Sequence, residues 1–367
     1  LKVDASYATD RWLQRAGVYV RKLEATYDYT GGVDFAPDYP YPGAGAQDIS
    51  RALAPNPSGE HFAAYYTVRG RLTDALTAEV GLRWDEQTYA ADADDQLGPR
   101  INLAWRVDES TRLLASWGRY QQFEGIEELQ VEDGVEDFSP AQSADHLILG
   151  LERDLTPEYS VRVEAYRKDY RDLRTRIESL YDPLSLAPEL RWDRVAISPS
   201  SALAEGGELL LTRKPVAAWS GWFGYAWSRV TDAVDEGDVR RSWDQTHTVN
   251  LGVLWASGPW QATLAAQYHT GWPVTPIGLD TQGNVVLGDR NAARYADYGS
   301  LDARVSYEWI LPRGTLTLHG ELTNALDRRN PCCTDLEYSV IDGTPTLDRE
   351  LRHWLPLVPS VGVLWKY

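Results

Sequence analysis

The feature that most constrains this chain is an alternation of apolar and polar side chains with a period of two, repeated from one end of the sequence to the other. Val80, Leu82 and Trp84 share one face of such a segment, and Arg83 and Asp85 lie on the opposite face. Successive side chains of a β-strand point to opposite faces of the sheet, so this period predicts strands. The polar face carries full charges in the middle of the segments.

By this pattern the chain contains about 15 strand candidates, many of them longer than the roughly 5–6 residues usual in soluble sheets. The candidates are residues 2–9, 12–29, 58–73, 76–91, 97–108, 110–122, 143–154, 158–174, 203–214, 217–234, 244–256, 259–272, 300–311, 314–325 and 359–367. Their connections alternate between short turns, such as 72–75, 155–157 and 312–314, and long polar loops. The long loops are residues 30–57, 123–142, 175–202, 235–243, 273–299 and 326–358.

An outer-membrane barrel has this asymmetry of turns and loops, together with an apolar outward face and a polar lumen. Because lipid offers no hydrogen bonds to the backbone, a sheet with an apolar face must close on itself to cross a membrane. We therefore predict an all-β fold, an antiparallel transmembrane β-barrel. The alternative, a soluble sandwich or propeller, is disfavoured because soluble sheets do not usually keep their turns short on one side only.

Composition excludes several other classes of protein. The chain has 54 acidic and 36 basic side chains and a net charge of −18, which argues against a nucleic-acid binder. No apolar run is long enough for a transmembrane helix. The chain contains no Met and begins at Leu1, from which we expect it to be part of a longer precursor.

The last residues predict the orientation of the barrel. Val361, Val363, Trp365 and Tyr367 alternate with Ser360, Gly362, Leu364 and Lys366, and the chain ends on an aromatic side chain. Such a terminal strand resembles the recognition signal that outer-membrane barrels present to their assembly machinery. This places the carboxyl terminus and the short turns in the periplasm and the long loops outside the cell.

Four stretches resemble the barrel of TonB-dependent outer-membrane receptors. They are the small-x-Gly-x-Glu strand start at 204–209, the Trp-Asp-Gln-x-His segment within 241–248, the strand entry at 294–304 and the strand exit at 322–330. In the last of these, Ala325 and Leu326 replace the Leu-Phe pair that is usual in the family. The resemblance implies a barrel of about 22 strands plugged by an amino-terminal domain. Residues 1–367 are then the carboxyl-terminal part of that barrel, with the plug, the first strands and the TonB-binding segment outside them.

The resemblance also implies a function. Such a receptor is an active transporter in the outer membrane of a Gram-negative bacterium, and it takes up a scarce nutrient such as a ferric siderophore, cobalamin or an oligosaccharide. Its partners are outer-membrane lipid and lipopolysaccharide, the TonB complex and the extracellular ligand. No bond is broken, so we expect no enzyme activity, catalytic residue, metal site or cofactor. The alternative is a passive channel of about 14 strands for small or hydrophobic compounds, which arises if residues 1–8 do not form a strand.

Aromatic side chains in the long loops are the predicted ligand contacts, because loop residues carry function more often than strand residues do and aromatic rings stack on flat ligands. The alternative is that these rings pack the loops against one another. The predicted set is Tyr39, Tyr41, Phe123, Phe138, Tyr181, Trp192, Trp272 and Tyr338.

Three other groups of side chains were weighed as sites. The segment 123–145 carries eight carboxylates and no Lys or Arg, which suits either a cation-guiding loop or a solvated acidic loop. The six histidines are scattered over different strands and loops, which favours lumen-facing polar side chains over a metal site. Cys332 and Cys333 leave three alternatives open: a strained ring between neighbours, two thiols, or pairing with a part of the protein outside this chain. We favour a structural clip of the loop.

Overall fold

The computed structural model describes residues 1–33, 49–90, 96–179, 194–235 and 237–367. One 3-10 turn, Val131–Asp133, is the helical element of these residues, and none of their helices is long and apolar enough to cross a membrane. The strands are β1 Lys2–Ala8, β2 Trp12–Glu24, β3 Tyr29–Val33, β4 Ile49–Leu53, β5 Ser58–Arg71, β6 Leu76–Gln87, β7 Gln96–Arg106, β8 Thr111–Gln122, β9 Gln142–Asp154, β10 Tyr159–Arg171, β11 Arg176–Ser179, β12 Arg194–Ile197, β13 Ser201–Val216, β14 Trp219–Val234, β15 Gly237–Arg240, β16 His247–Ser257, β17 Trp260–His269, β18 Pro273–Val274, β19 Ile277–Leu279, β20 Val285–Leu287, β21 Ala293–Arg294, β22 Tyr298–Leu311, β23 Gly314–Thr323, β24 Pro331–Ile341, β25 Thr344–His353 and β26 Val358–Lys366.

One antiparallel sheet contains all the long strands except those of the β24–β25 hairpin. Its order is β1-β2-β5-β6-β7-β8-β9-β10-β13-β14-β16-β17-β22-β23-β26, and β15 adds to β14. Every strand candidate of the sequence analysis is a strand of this path, so the all-β prediction is confirmed. The largest difference is at residues 12–29, where β2 ends at Glu24.

The pairing register places the apolar side chains of neighbouring strands on one face, the apolar face. Val80 lies opposite Val68 on β5 and Ile101 on β7. Val80 is 56% exposed, Val305 48% and Val361 79%, far more apolar exposure than a soluble sheet tolerates. This face therefore needs an apolar surrounding.

The opposite face, the polar face, carries a hydrogen-bonded ladder across four strands. Arg69 Nε donates to Glu79 Oε2 at 2.7 Å, and Asn102 Nδ2 donates to Glu79 Oε1 at 3.3 Å. Ser116 Oγ then donates to Asn102 Oδ1 at 2.6 Å. The charged side chains of the polar face thus have partners on neighbouring strands. This limits the free-energy cost of removing them from bulk water.

The path of strands has two ends. Within the described residues β1 pairs with β2 and β26 pairs with β23, and no pairing joins β1 to β26. Both edges of β2 are occupied, by β1 and by β5. The ring of about 14 strands that a passive channel requires, in which residues 12–29 pair with residues 359–367, is therefore not formed.

Short and long connections lie at opposite ends of the strands, called here the short-turn end and the long-loop end. The connections 217–218, 258–259 and 312–313 are examples of the first kind. The long polar loops of the sequence analysis contain small hairpins, such as β11–β12 and β24–β25. Each hairpin pairs its own backbone N–H and C=O groups, which would otherwise hydrogen-bond to water, and so makes its loop more rigid.

Cys332 and Cys333 lie on β24, where the pairing with β25 shifts by one residue between Pro331 and Cys333. Both side chains are half-buried, and the choice among the three alternatives for them stays a prediction.

Two asparagines explain the strand exit at 322–330. Asn324 has φ +49° and donates from Nδ2 to the carbonyl oxygens of Arg328 and Leu355 at 3.0 and 3.2 Å. Asn330 is 2% exposed and makes two 2.8 Å hydrogen bonds, one accepting from and one donating to the backbone of Gly299. This motif therefore fixes the turn that leaves β23 and joins it to β22.

Candidate ligand-binding site

Five rings meet on the polar face at the long-loop end and form the first aromatic cluster, Tyr19, His61, Tyr89, Phe123 and Phe138. The His61 ring lies 5.3 Å from that of Tyr19 and 4.5 Å from that of Phe123, both edge to face. Tyr89 contacts Phe123 at 6.5 Å and Phe138 at 4.9 Å. These are the separations at which aromatic pairs attract beyond simple burial.

Strand ends and one loop position this cluster. Tyr19 and His61 occupy neighbouring polar-face positions on β2 and β5, whereas Phe123 and Phe138 lie near the two ends of the loop 123–141. That loop has a small core of its own, formed by Ile126, Leu129 and Val131, which are 3%, 4% and 6% exposed. The loop therefore holds its two phenylalanines as a folded unit.

Tyrosine hydroxyls anchor the same loop. Tyr89 donates to the carbonyl oxygen of Glu124 at 2.6 Å, and burial raises the pKa of Tyr89 to about 12. Tyr27 donates to the carbonyl oxygen of Ile126 at 2.8 Å and accepts from the backbone N–H of Leu129 at 3.0 Å. Both phenols are neutral at physiological pH and act as fixed hydrogen-bonding groups.

In the segment 123–145, the carboxylates of Glu124, Glu128, Asp133 and Asp145 accept hydrogen bonds within the fold. Asp133 accepts two hydrogen bonds from the guanidinium of Arg194. Glu128 lies 3.1 Å from Arg174 Nη1, and the backbone N–H of Gly125, followed by this guanidinium, lowers the pKa of Glu128. Among the described residues no group of three or more His, Cys, Asp or Glu side chains is arranged to hold a metal ion. The choice between a cation-guiding loop and a solvated acidic loop stays a prediction.

A second aromatic cluster lies at the long-loop end of β16, β17 and β22, and consists of Trp243, His269, Trp272 and Tyr298. The rings of His269 and Tyr298 are stacked, with centroids 4.8 Å apart and planes at 3°. Trp272 lies 5.1 Å from His269 and 5.2 Å from Trp243. His269 is buried, while Trp243 is 54% exposed and presents an indole to the space above the strands.

Beside the second cluster, three long loops meet in an arginine–carboxylate cluster. Asp232, at the end of β14, is fully buried and accepts from Arg176 Nη2 at 2.5 Å and from Arg241 Nη2 at 2.6 Å. Asp244, 2% exposed, accepts from Arg294 Nη2 at 2.5 Å and from Arg240 Nη1 at 2.9 Å.

The partners of these two aspartates come from segments far apart in sequence. Arg176 belongs to the loop 172–200, Arg240 and Arg241 to the loop 235–246, and Arg294 to the loop 270–297. The cluster explains part of the motifs at 241–248 and 294–304, because Arg241, Asp244 and Arg294 meet here. Because buried ion pairs are costly to break singly, the three loops hold a common arrangement.

The predicted contact residues fall into four groups. Phe123 and Phe138 are brought together through Tyr89, and Trp272 belongs to the second cluster. Tyr338 is half-buried on the separate β24–β25 hairpin. Tyr39, Tyr41, Tyr181 and Trp192 lie outside the described residues.

Sequence reasoning missed the strand-borne members: it counted His61 and His269 among scattered lumen-facing polar side chains, and it did not consider Tyr19 or Tyr298 as part of a site. Their signal was position: each lies on a polar face within a few residues of the long-loop end of its strand.

A family model described as TonB dependent receptor-like, beta-barrel, matches residues 2–325. The chain belongs to this family. The family is one of transporters and receptors rather than enzymes. None of the curated protein sequences matches the chain.

Solved structures of TonB-dependent receptors share its fold. The unliganded ferric citrate transporter FecA has a TM-score of 0.63 and 14% identity, and the match covers 100% of this chain and 53% of FecA. A variant of the ferric enterobactin receptor PfeA of Pseudomonas aeruginosa has a TM-score of 0.59 and 16% identity, over 90% of this chain and 48% of PfeA. The copper transporter OprC has a TM-score of 0.63 and 12% identity, over 89% of this chain and 51% of OprC. The chain thus spans about half the length of the receptors it resembles.

Proposed function

We propose that this TonB-dependent receptor chain is part of an active transporter in the outer membrane of a Gram-negative bacterium. Its cargo is a scarce nutrient such as a ferric siderophore, cobalamin or an oligosaccharide. The observation that carries the proposal is the family match over residues 2–325. The neighbours named for ferric citrate, ferric enterobactin and copper support metal-containing cargo in particular.

We propose further that residues 1–367 form the carboxyl-terminal part of the barrel. The path of 15 strands and the half-length match support this, since transporters of this size class have about 22 strands around a plug. The plug, the first strands and the segment that engages the TonB complex then lie in the remainder of the protein. Movement of that plug, driven from the inner membrane, releases the cargo into the periplasm.

The ligand contacts belong to the long-loop end, which faces the outside of the cell. Phe123, Phe138 and Trp272 are the contacts that belong to the two described clusters, with Tyr338 on the neighbouring hairpin. Aromatic rings fixed in loops that are tied together provide flat, rigid contact area at low entropic cost. Tyr39, Tyr41, Tyr181 and Trp192 complete the proposed set.

Uptake by cells lacking the gene and complemented with the full-length receptor tests the function. We expect growth on one class of cargo to require both the receptor and TonB. Uptake that continues without TonB would contradict active transport and favour a passive channel.

The ligand site is tested with the double substitution Phe123→Ala and Phe138→Ala. Loss of two aromatic anchors is expected to weaken binding of the identified cargo by roughly tenfold or more. Phe62→Ala is the matched control, because Phe62 is adjacent to His61 on β5 but lies on the apolar face. Equal cargo affinities of the two variants would show that the first aromatic cluster is not part of the ligand site.

A further inference from the structure

Two buried glutamines on the polar face, beside the first aromatic cluster, have hydrogen-bonding groups without partners. Gln87, the last residue of β6, is 0% exposed, and Gln96, the first residue of β7, is 2% exposed. Among the described residues, neither Oε1 nor Nε2 of Gln87 has a hydrogen-bond partner, and neither has Nε2 of Gln96. Such groups are rare in folded proteins, because each loses its hydrogen bonds to water and gains none in return.

The pairing register places the two carboxamides next to each other. Gln96 lies directly opposite Asp85, and Gln87 follows Asp85 by two residues, so all three side chains lie on the polar face. Diagonal neighbours of this kind are roughly 7–8 Å apart in an antiparallel sheet. One small ligand group between the two side chains can therefore contact both carboxamides.

The charged side chains beside the two glutamines neutralise each other. Asp85 accepts from Nε and from Nη2 of Arg83 at 2.6 Å each, and its Oδ1 lies 3.0 Å from Nε2 of His61. The ion pair of Arg83 and Asp85 sums to zero charge. The carboxamides therefore lie in polar surroundings in which this pair favours neither an anion nor a cation.

The first aromatic cluster closes this part of the polar face. His61 lies directly opposite Gln87 on β5, and its ring is 4.5 Å from that of Phe123. The hydroxyl of Tyr89 holds the same loop through the carbonyl oxygen of Glu124. Because Gln87 is 0% exposed, a ligand reaches its carboxamide only when the loop 123–141 moves away from the sheet.

We propose that Gln87 and Gln96 bind the hydroxyl groups of a sugar ring in the cargo. The groups without partners include an acceptor, Oε1 of Gln87, as well as donors on both side chains, so the ligand must both donate and accept. A hydroxyl does both, whereas a carboxylate or a deprotonated catechol only accepts. The aromatic rings beside the carboxamides provide flat surfaces on which a sugar ring can stack. The inference rests on the proposed transport function and selects a sugar-bearing cargo from the classes named there.

The binding test uses the full-length receptor in non-ionic detergent and an array of neutral and acidic oligosaccharides. We expect the receptor to bind a neutral oligosaccharide. Gln87→Met should bind it roughly tenfold more weakly, because methionine keeps the length of the side chain but removes its hydrogen bonds to the sugar. Gln96→Met should also weaken binding. Failure of the wild type to bind any neutral oligosaccharide would overturn the proposal.

Gln261→Met is the matched control. Gln261 also lies on the polar face, opposite Ser306, but it is exposed and lies near the short-turn end of β17. This variant is expected to bind the oligosaccharide with wild-type affinity. Equal losses in Gln261→Met and Gln87→Met would contradict the proposal, and so would a preference of the wild type for acidic oligosaccharides.

Heat denaturation of the unliganded receptor gives a second readout. Gln87→Met removes two buried polar groups that have no partner, so the variant should denature at a higher temperature than the wild type. A merely structural role for Gln87 predicts the opposite change, because hydrogen bonds within the fold would be lost. A lower denaturation temperature would therefore rule out the inference.

Uptake by cells separates this inference from the proposed function. If no cargo requires TonB for its uptake, the proposed transport fails. If uptake requires TonB but Gln87→Met leaves the affinity for the cargo unchanged, the sugar site alone fails.

Discussion

At the scale of single residues, one face of each strand requires apolar side chains and the other accepts charged or polar ones. Leu318 lies on the apolar face of β23, opposite Tyr307 and Val363, and is 42% exposed. The adjacent Thr317 lies on the polar face, opposite Glu308. Neighbouring positions of one strand therefore provide a direct test of facing.

Leu318→Arg is expected to destabilise the folded receptor by about 2–4 kcal/mol if the site is near the bilayer midplane, because a guanidinium then faces lipid. Thr317→Arg is expected to cost little, because the new cation meets Glu308. Urea unfolding in liposomes measures both. Similar losses for the two variants would mean that the faces are assigned wrongly.

Tyr89 gives a second test at this scale, through pH. Burial raises its pKa to about 12, above the value near 10 of a solvated phenol. The neutral phenol therefore stabilises the fold fully below about pH 10, and this contribution is lost as the pH rises through about 12. The tyrosinate absorbance of the wild type minus that of Tyr89→Phe should titrate near the higher value. A difference that titrates near pH 10 would show that the first aromatic cluster is solvated.

At the scale of elements, labelling of the β24–β25 hairpin tests whether the long-loop end faces the outside of the cell. Its tip is formed by Asp342 and Gly343, both with positive φ, and Val340 beside it is 58% exposed. In a Cys332→Ser and Cys333→Ser background, Val340→Cys should react with a membrane-impermeant maleimide on intact cells. Arg313→Cys, in a short turn, should react only after lysis. Labelling of position 313 on intact cells would reverse the assigned orientation.

The long strands were predictable because ten or more residues of alternation outweigh any local exception. The loop hairpins were not, since β11 and β12 are four residues each and too short to establish a period. The β24–β25 hairpin did carry a signal, the Asp342-Gly343 turn, but it was hidden inside a segment treated as one polar loop. For the candidate site, loop position selected Phe123, Phe138 and Trp272, which lie in the two aromatic clusters, and their contact with a ligand stays a prediction. Alternation alone does not tell which polar-face residues at strand ends converge, so His61 and His269 were missed.

At the scale of the whole molecule, the two sheet edges decide whether this chain is stable alone. The outer edges of β1 and β26 present backbone groups that hydrocarbon cannot satisfy. Residues 1–367 expressed by themselves in detergent should therefore aggregate or lack the heat-dependent gel shift of a closed barrel. The full-length receptor, as the control, should show that shift. A monomeric, heat-modifiable fragment would contradict the proposal that further strands complete the barrel.

The arginine–carboxylate cluster has a consequence for how such a receptor can change its specificity. Asp232 and Asp244 each draw partners from more than one loop, so the loops 172–200, 235–246 and 270–297 share their anchors. A chimera that imports one of these loops from another receptor would bring an arginine without its aspartate, or the reverse. Exchange of the three loops together is therefore expected to keep these ion pairs, whereas exchange of one loop alone is expected to break at least one of them.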